Sequence, residues 1–275
     1  MGLFDLFKKK ETKSVHSDSN ENTKDKGSFA AFVLLDEPVF SLEQLVSDLK
    51  KDWNIDIKKD EKEQMDLENV TAVFTIDDML ATIGLIPVPV PDDEAVHNAE
   101  TNFRWKEAVE VTKSHKAHLI VAVLPHDRSA VEAGTLFVEL CAACLKQQHT
   151  IAINTAGTVM EPNLYKEYAK GAIEDGMFPI LDLVFFGIYS NDNGKTISGY
   201  TFGLQDLGKD EIEVLDSLHP ASEIFEFLVD IASYVVEEDA ILKDGETIGF
   251  SAEQKLPITK SKSRVLDFDT LKIGF

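Results

Sequence analysis

An α+β fold with a mixed sheet is predicted by three features of the sequence. Apolar runs of strand length, such as FAAFVLLD and AHLIVAVLP, are bounded by polar residues. Between them lie segments with helical spacing and N-cap signals, Ser41-x-x-Gln44 and Ser129-x-x-Glu132. Asn191-Asp192-Asn193-Gly194 then separates two apolar runs, which is a hairpin signal and requires antiparallel neighbours.

Taken in order, the folded part starts near Phe29. FAAFVLLD reads as a buried strand, and Leu42, Leu45, Val46 and Leu49 fall on one face of the helix that Ser41 caps. Trp53, Ile55 and Ile57 suggest a short strand, and residues 58–69 a charged loop. VTAVFTI (70–76) and MLATIGLIPVPV (79–90) are two further strands, the second closed by Pro87, Pro89 and Pro91. Residues 92–116 are predicted helical, with Phe103, Val109 and Val111 facing inward. A strand (AHLIVAVLP), a helix to about Gln147 and a strand at 149–154 come next. Pro162 opens a helix to about Gly171, and strands 179–189 and 196–204 flank the hairpin. Ile212 and Val214 alternate with Glu211 and Glu213, as in a half-buried strand whose carboxylates face solvent. Pro220 opens a long helix with Ile224, Phe225, Leu228, Ile231, Ala232 and Val235 at core spacing, and the alternating tail forms a final hairpin. Without the weak strand at 53–57, the first part has the ferredoxin-like order β-α-β-β-α-β. The alternative is a pair of related lobes, 29–124 and 125–275.

The composition, 44% hydrophobic and 28% charged, supports a sizeable core. Charge is distributed unevenly. Residues 1–28 carry six Lys and five Asp/Glu, whereas residues 29–252 hold 16 basic and 41 acidic side chains, a net of −25. Such a surface repels nucleic-acid phosphate, so no nucleic-acid partner is expected. Two cysteines are too few for a disulfide framework and point to a reducing, cytoplasmic setting. The first ten residues place Leu3, Phe4, Leu6 and Phe7 around Asp5 and follow them with Lys8, Lys9 and Lys10. They form an amphipathic tether for a groove or, weakly, a membrane surface. Residues 11–28 are polar enough to be a disordered linker.

Chemistry-bearing motifs are few. Cys141-Ala-Ala-Cys144 lies deep in an apolar helix instead of at its N-terminus, so it reads as two buried small residues and not a redox pair. His115 and His118 precede a strand and His126 follows it; the ~20 Å length of that strand keeps the three from sharing a metal. There is no G-x-S-x-G, no P-loop and no G-x-G-x-x-G. No catalytic residue, metal ligand or cofactor is assigned.

The succession KAHLIVAVL, ELCAACL, PNLYKEYA, ISGYTFGLQDLGKDEIEVLDS and DGETIGFS resembles a bacterial domain-of-unknown-function family, number 4261, from Phe29 to the C-terminus. The most specific part is Gly203 to Val214 with Tyr200 before it. Leu207 stands where an aromatic is expected, and Asp210 where a proline often stands. The resemblance implies no activity and transfers no catalytic residue.

The expected function is a non-enzymatic, acidic, cytoplasmic module that binds another protein. Its candidate surface is Tyr200, Gly203, Asp206, Gly208, Asp210, Glu211 and Glu213. Two alternatives stand beside it: a metal-dependent hydrolase using the acidic 206–216 segment, and a peripheral membrane protein held by residues 1–10.

Overall fold

The computed structural model describes residues 26–58, 71–251 and 253–275. The N-terminal tether, nearly all of the linker and the charged loop before the second strand lie outside the described residues.

Two six-stranded sheets share one hydrophobic core. The first contains β1 (Phe29–Leu35), β2 (Thr71–Ile76), β3 (Met79–Ile86), β4 (Ala117–Leu124), β5 (Thr150–Thr155) and β6 (Thr158–Met160), in the order β2-β3-β4-β1-β5-β6. All its pairings are antiparallel. Asp77 and Asp78 both take positive φ (48° and 68°), the geometry a two-residue hairpin between β2 and β3 requires. On one face pack α1 (Leu42–Trp53), α4 (Ala130–Cys144) and α5 (Pro162–Glu174). On the other lie α2 (Glu94–Glu100) and α3 (Ala108–Lys113), around Leu34, Ala152 and Val159.

The caps explain where these helices start. Ser129 and Glu132 form a complete capping box at α4. At α1 only half of the expected box forms: Ser41 Oγ accepts from the Gln44 amide, but Gln147 Oε1 takes the Ser41 N–H at 3.0 Å. Asn54, in the left-handed conformation, ends α1, and no strand forms at 55–57. Residues 29–124 therefore run β-α-β-β-α-β, with the last helical part split. Asp92 and Asp93 take positive φ after Pro91, and 101–107 breaks the helix that was expected over 92–116. Phe103 lies in that break and is exposed instead of inward. The strand order differs from the ferredoxin-like one. The α2–α3 connection returns β4 alongside β3, so β4 stands between β3 and β1.

The second sheet contains β7 (Phe185–Asn191), β8 (Thr196–Phe202), β9 (Ile212–Ser217), β10 (Thr247–Ile248), β11 (Leu256–Lys262) and β12 (Asp269–Ile273), ordered β10-β11-β12-β9-β8-β7. Its β12–β9 pairing is parallel and the others antiparallel, which makes the sheet mixed. The apolar run at 179–189 is not one strand: Ile180–Leu183 forms a single helical turn, α6, before β7 begins. The long α7 (Ala221–Glu237) lays Ile224, Leu228, Ile231 and Val235 on this sheet. At Gly199 a Cβ would lie 2.7 Å from Leu228 Cδ1 and 2.8 Å from Ile188 Cδ1, so a larger residue requires these side chains to shift. Among the described residues, no helix is long and apolar enough to cross a membrane.

Candidate functional site

The connection from β8 to β9 holds most of the candidate surface. Gly203 (φ 125°) turns the chain out of β8, Leu204–Leu207 makes a 3-10 turn, and Gly208 (φ 80°) ends it. Glu211 then reaches back into this turn. Its Oε1 accepts from the Gly203 and Gln205 amides at 2.8 and 3.1 Å, and its Oε2 from Thr201 Oγ1 at 2.7 Å. Burial pushes the Glu211 carboxyl up, and these three bonds oppose the shift. Its role is to close the backbone amides of the turn.

Glu213 is likewise enclosed. Ser263 Oγ and Thr270 Oγ1 each donate to it at 2.7 Å, and Lys272 Nζ lies at 3.1 Å. Burial pushes its carboxyl up, but the hydroxyls of Thr270 and Ser263 together with Lys272 outweigh this and hold it below the ordinary value. The expectation of a solvated carboxylate face is therefore corrected. Ile212 and Val214 do face α7, but the opposite face is covered, because β12 pairs in parallel with β9 and sets Lys272 beside Glu213. Lys272 stands where a bound cation would be needed. Tyr200 lies across the strand pair from Glu213, with its ring over Gly187. Burial pushes its hydroxyl up, as do Tyr189 and Glu213. Asp216, at the end of β9, is paired with Arg264 and Asn191.

Gly208 and Asp210 line a cavity of about 460 Å³ at the C-terminal end of α7, and Asp206 is not among its lining residues. Ile212, Val235 and Leu271 form its buried floor, and Ala240, Ile241 and Leu242 one wall. At the rim, Asp210 is held by Lys260, both oxygens at 2.9 Å from Nζ. Lys209 reaches Asp239 and donates to the Ala240 carbonyl at 3.2 Å. Lys26 lies against Gly208, and the Gly27 amide donates to the Asp206 carbonyl at 2.7 Å. The cavity lies within the ~300–1,000 Å³ range of ligand clefts. Beside it α7 ends on Glu237, Glu238 and Asp239, all exposed; Glu237 accepts from the Phe178 amide at 2.9 Å and Asp239 pairs with Lys209. A helix C-terminus disfavours negative charge, so this end favours a cation.

The cavity wall escaped the sequence reading. Its signal was the switch from VVEEDA to IL, an acidic helix end followed by two apolar residues in a polar stretch. Buried Asp182 was also missed; burial raises its carboxyl pKa well above the ordinary value, and among the described residues neither of its oxygens has a hydrogen-bond partner.

The cysteines and histidines are structural. Cys141 and Cys144 are both buried, which pushes their thiols up. His115 Nε2 accepts from the Val90 amide at 2.9 Å, and His118 Nδ1 bonds the Val88 carbonyl at 2.9 Å, so the two histidines fasten the proline-rich end of β3. Burial lowers the pKa of His118. Among the described residues, no group of three or more His, Cys, Asp or Glu is placed to hold a metal ion.

Residues 200–274 match the family model of a domain of unknown function, DUF4261. The matched part contains the β8–β9 connection, both enclosed glutamates and most of the cavity lining. No curated protein and no solved structure matches the chain.

Proposed function

We propose that the chain is a non-enzymatic protein-binding module of the bacterial cytoplasm, and that the cavity at the end of α7 takes a short apolar segment followed by basic residues. One juxtaposition carries this reading: an apolar floor and wall stand beside the acidic end of α7, where exposed Glu238 lies between Glu237, which accepts from the Phe178 amide, and Asp239, which pairs with Lys209. Leu, Ile or Phe side chains suit the floor of Ile212, Val235 and Leu271, and a lysine that follows them suits the exposed Glu238. Two further features support binding over chemistry. The carboxylates of Glu211 and Glu213 are taken up by internal donors, and Lys272 neutralises Glu213 in place of a metal.

The test is selection of decapeptides from a random displayed library. The targets are the full chain, the full chain with Leu3, Phe4, Leu6 and Phe7 replaced by Ser, and that Ser-replaced chain with its cavity filled by Ala240→Trp or charged by Ile241→Asp. Ile241 is 74% exposed, so its replacement spares the core. Peptides with Leu or Phe followed by Lys or Arg should be enriched on the Ser-replaced chain and lost on the cavity variants derived from it. Failure to enrich on the Ser-replaced chain, or equal recovery on the cavity variants derived from it, would overturn the reading.

A further inference from the structure

We infer that the resting occupant of this cavity is the chain's own N-terminal peptide, docked in cis; the inference rests on the peptide-binding reading above. The described chain begins at the cavity itself. Lys26 lines it, and Gly27 is pinned to the 3-10 turn through the Asp206 carbonyl. About 18 residues separate Phe7 from Lys26, and a flexible chain of that length has a typical end-to-end distance of about 23 Å. The peptide is therefore held near the cavity at an effective concentration on the order of millimolar.

Its chemistry fits in the same order. Leu3, Phe4, Leu6 and Phe7 match an apolar floor and wall, and Lys8, Lys9 and Lys10 follow them as exposed Glu238 follows Val235 along the chain. The alternative destination, an anionic membrane, is disfavoured by the same charges. It would require a chain of net −22 to approach a negative surface, whereas the cis site is already adjacent. Docking in cis makes the module self-closed: an external apolar-basic segment binds only by displacing residues 3–7.

Two measurements on the full chain test this. In the first, Phe4→Cys is paired with Ile241→Cys, or with Val73→Cys on the exposed edge strand β2, and the rate of disulfide formation is followed at low protein concentration. Buried Cys141 and Cys144 stay out of the reaction. The Ile241 pair should close at least about tenfold faster than the Val73 pair and give a monomer, as expected from a millimolar local concentration. Equal rates, or a faster Val73 pair, would overturn the inference; a covalent dimer as the main product would mean that the peptide docks on a second copy, and would overturn the cis assignment.

The second measurement is anisotropy of a labelled peptide of residues 2–10. It should bind the chain with Leu3, Phe4, Leu6 and Phe7 replaced by Ser at least about tenfold more tightly than the native chain, because the cis segment no longer competes. Equal affinity for the two chains would overturn self-closure while leaving the peptide-binding reading intact. If this peptide binds neither chain while selected library peptides bind the Ser-replaced one, the cis occupant alone is wrong.

Discussion

Removal of Lys272 by Lys272→Met should destabilise the fold by about 3 kcal/mol, because it leaves the Glu213 carboxylate buried without its cation. Glu213 has no exposed surface and the Lys272 side chain only 12%, so solvent cannot substitute for the pair. The hydroxyls of Ser263 and Thr270 remain, which places the expected cost at the low end of the ~3–5 kcal/mol range for breaking a buried pair. For a chain of this size that corresponds to a fall in melting temperature of roughly 6–12 °C. The double change Glu213→Gln with Lys272→Met should recover most of the loss, since no charge is then left unpaired. The pH dependence has a definite sign. The folded Glu213 carboxyl lies below its ordinary value, so its contribution is present above the unfolded pKa and is lost as pH falls through the folded one. In Lys272→Met that depression is lost, and the deficit relative to the native chain should shrink below about pH 4.5 as Glu213 takes up a proton. Thermal melts of the three proteins at pH 7.5 and 4 provide the check. A single Lys272→Met loss under about 1 kcal/mol, or a double variant worse than the single, would refute the reasoning.

Burial pushes the Glu139 carboxyl up to about 7, with Asp77 adding to the shift, so folding is favoured while it is protonated and weakened as pH rises from about 4.5 to 7. Glu139→Gln should raise stability by about 2 kcal/mol at pH 8 and change it little at pH 4.5, as read from denaturant melts. Gly203→Val should cost at least about 3 kcal/mol or prevent folding, since φ is 125° and a Cβ would lie 2.6 Å from the Leu183 carbonyl oxygen. Gly171→Ala, in α5 with open space around it, should instead stabilise by about 0.5–1 kcal/mol, and melts of the two variants should move in opposite directions. Cys141 and Cys144 should resist iodoacetamide in the native protein and react after unfolding; rapid native labelling of either would contradict their burial.

Much of the fold could be read from local sequence, because strands with apolar runs and helices with caps announce themselves. Ser129 with Glu132, the Asn193-Gly194 turn and the face of α7 all formed as their residues dictate. What local sequence does not encode is which strand lies beside which. The parallel β12–β9 pairing joins residues about sixty apart and decides the fate of Glu213, which period-two alternation alone left on a solvated face. The helix expected over 92–116 failed for a related reason: its apolar residues pack as two short pieces around Leu34 and Ala152, a surface created only by the sheet. Of the cavity lining, Gly208 and Asp210 lie in the turn that Gly203 and Gly208 mark in the sequence. Ala240, Ile241 and Leu242 were missed, because they become a wall only once α7 lies on β9 and β12.

The central claim, an apolar cavity that receives residues 3–7, is tested most directly by methyl-resolved NMR of the full chain, native against the variant with Leu3, Phe4, Leu6 and Phe7 replaced by Ser. The account predicts that shift differences concentrate on the methyls of Val235, Ile241, Leu242 and Leu271, and that adding the peptide of residues 2–10 to the Ser-replaced chain reverses them. Differences centred on the first sheet, or no differences at these four residues, would contradict it.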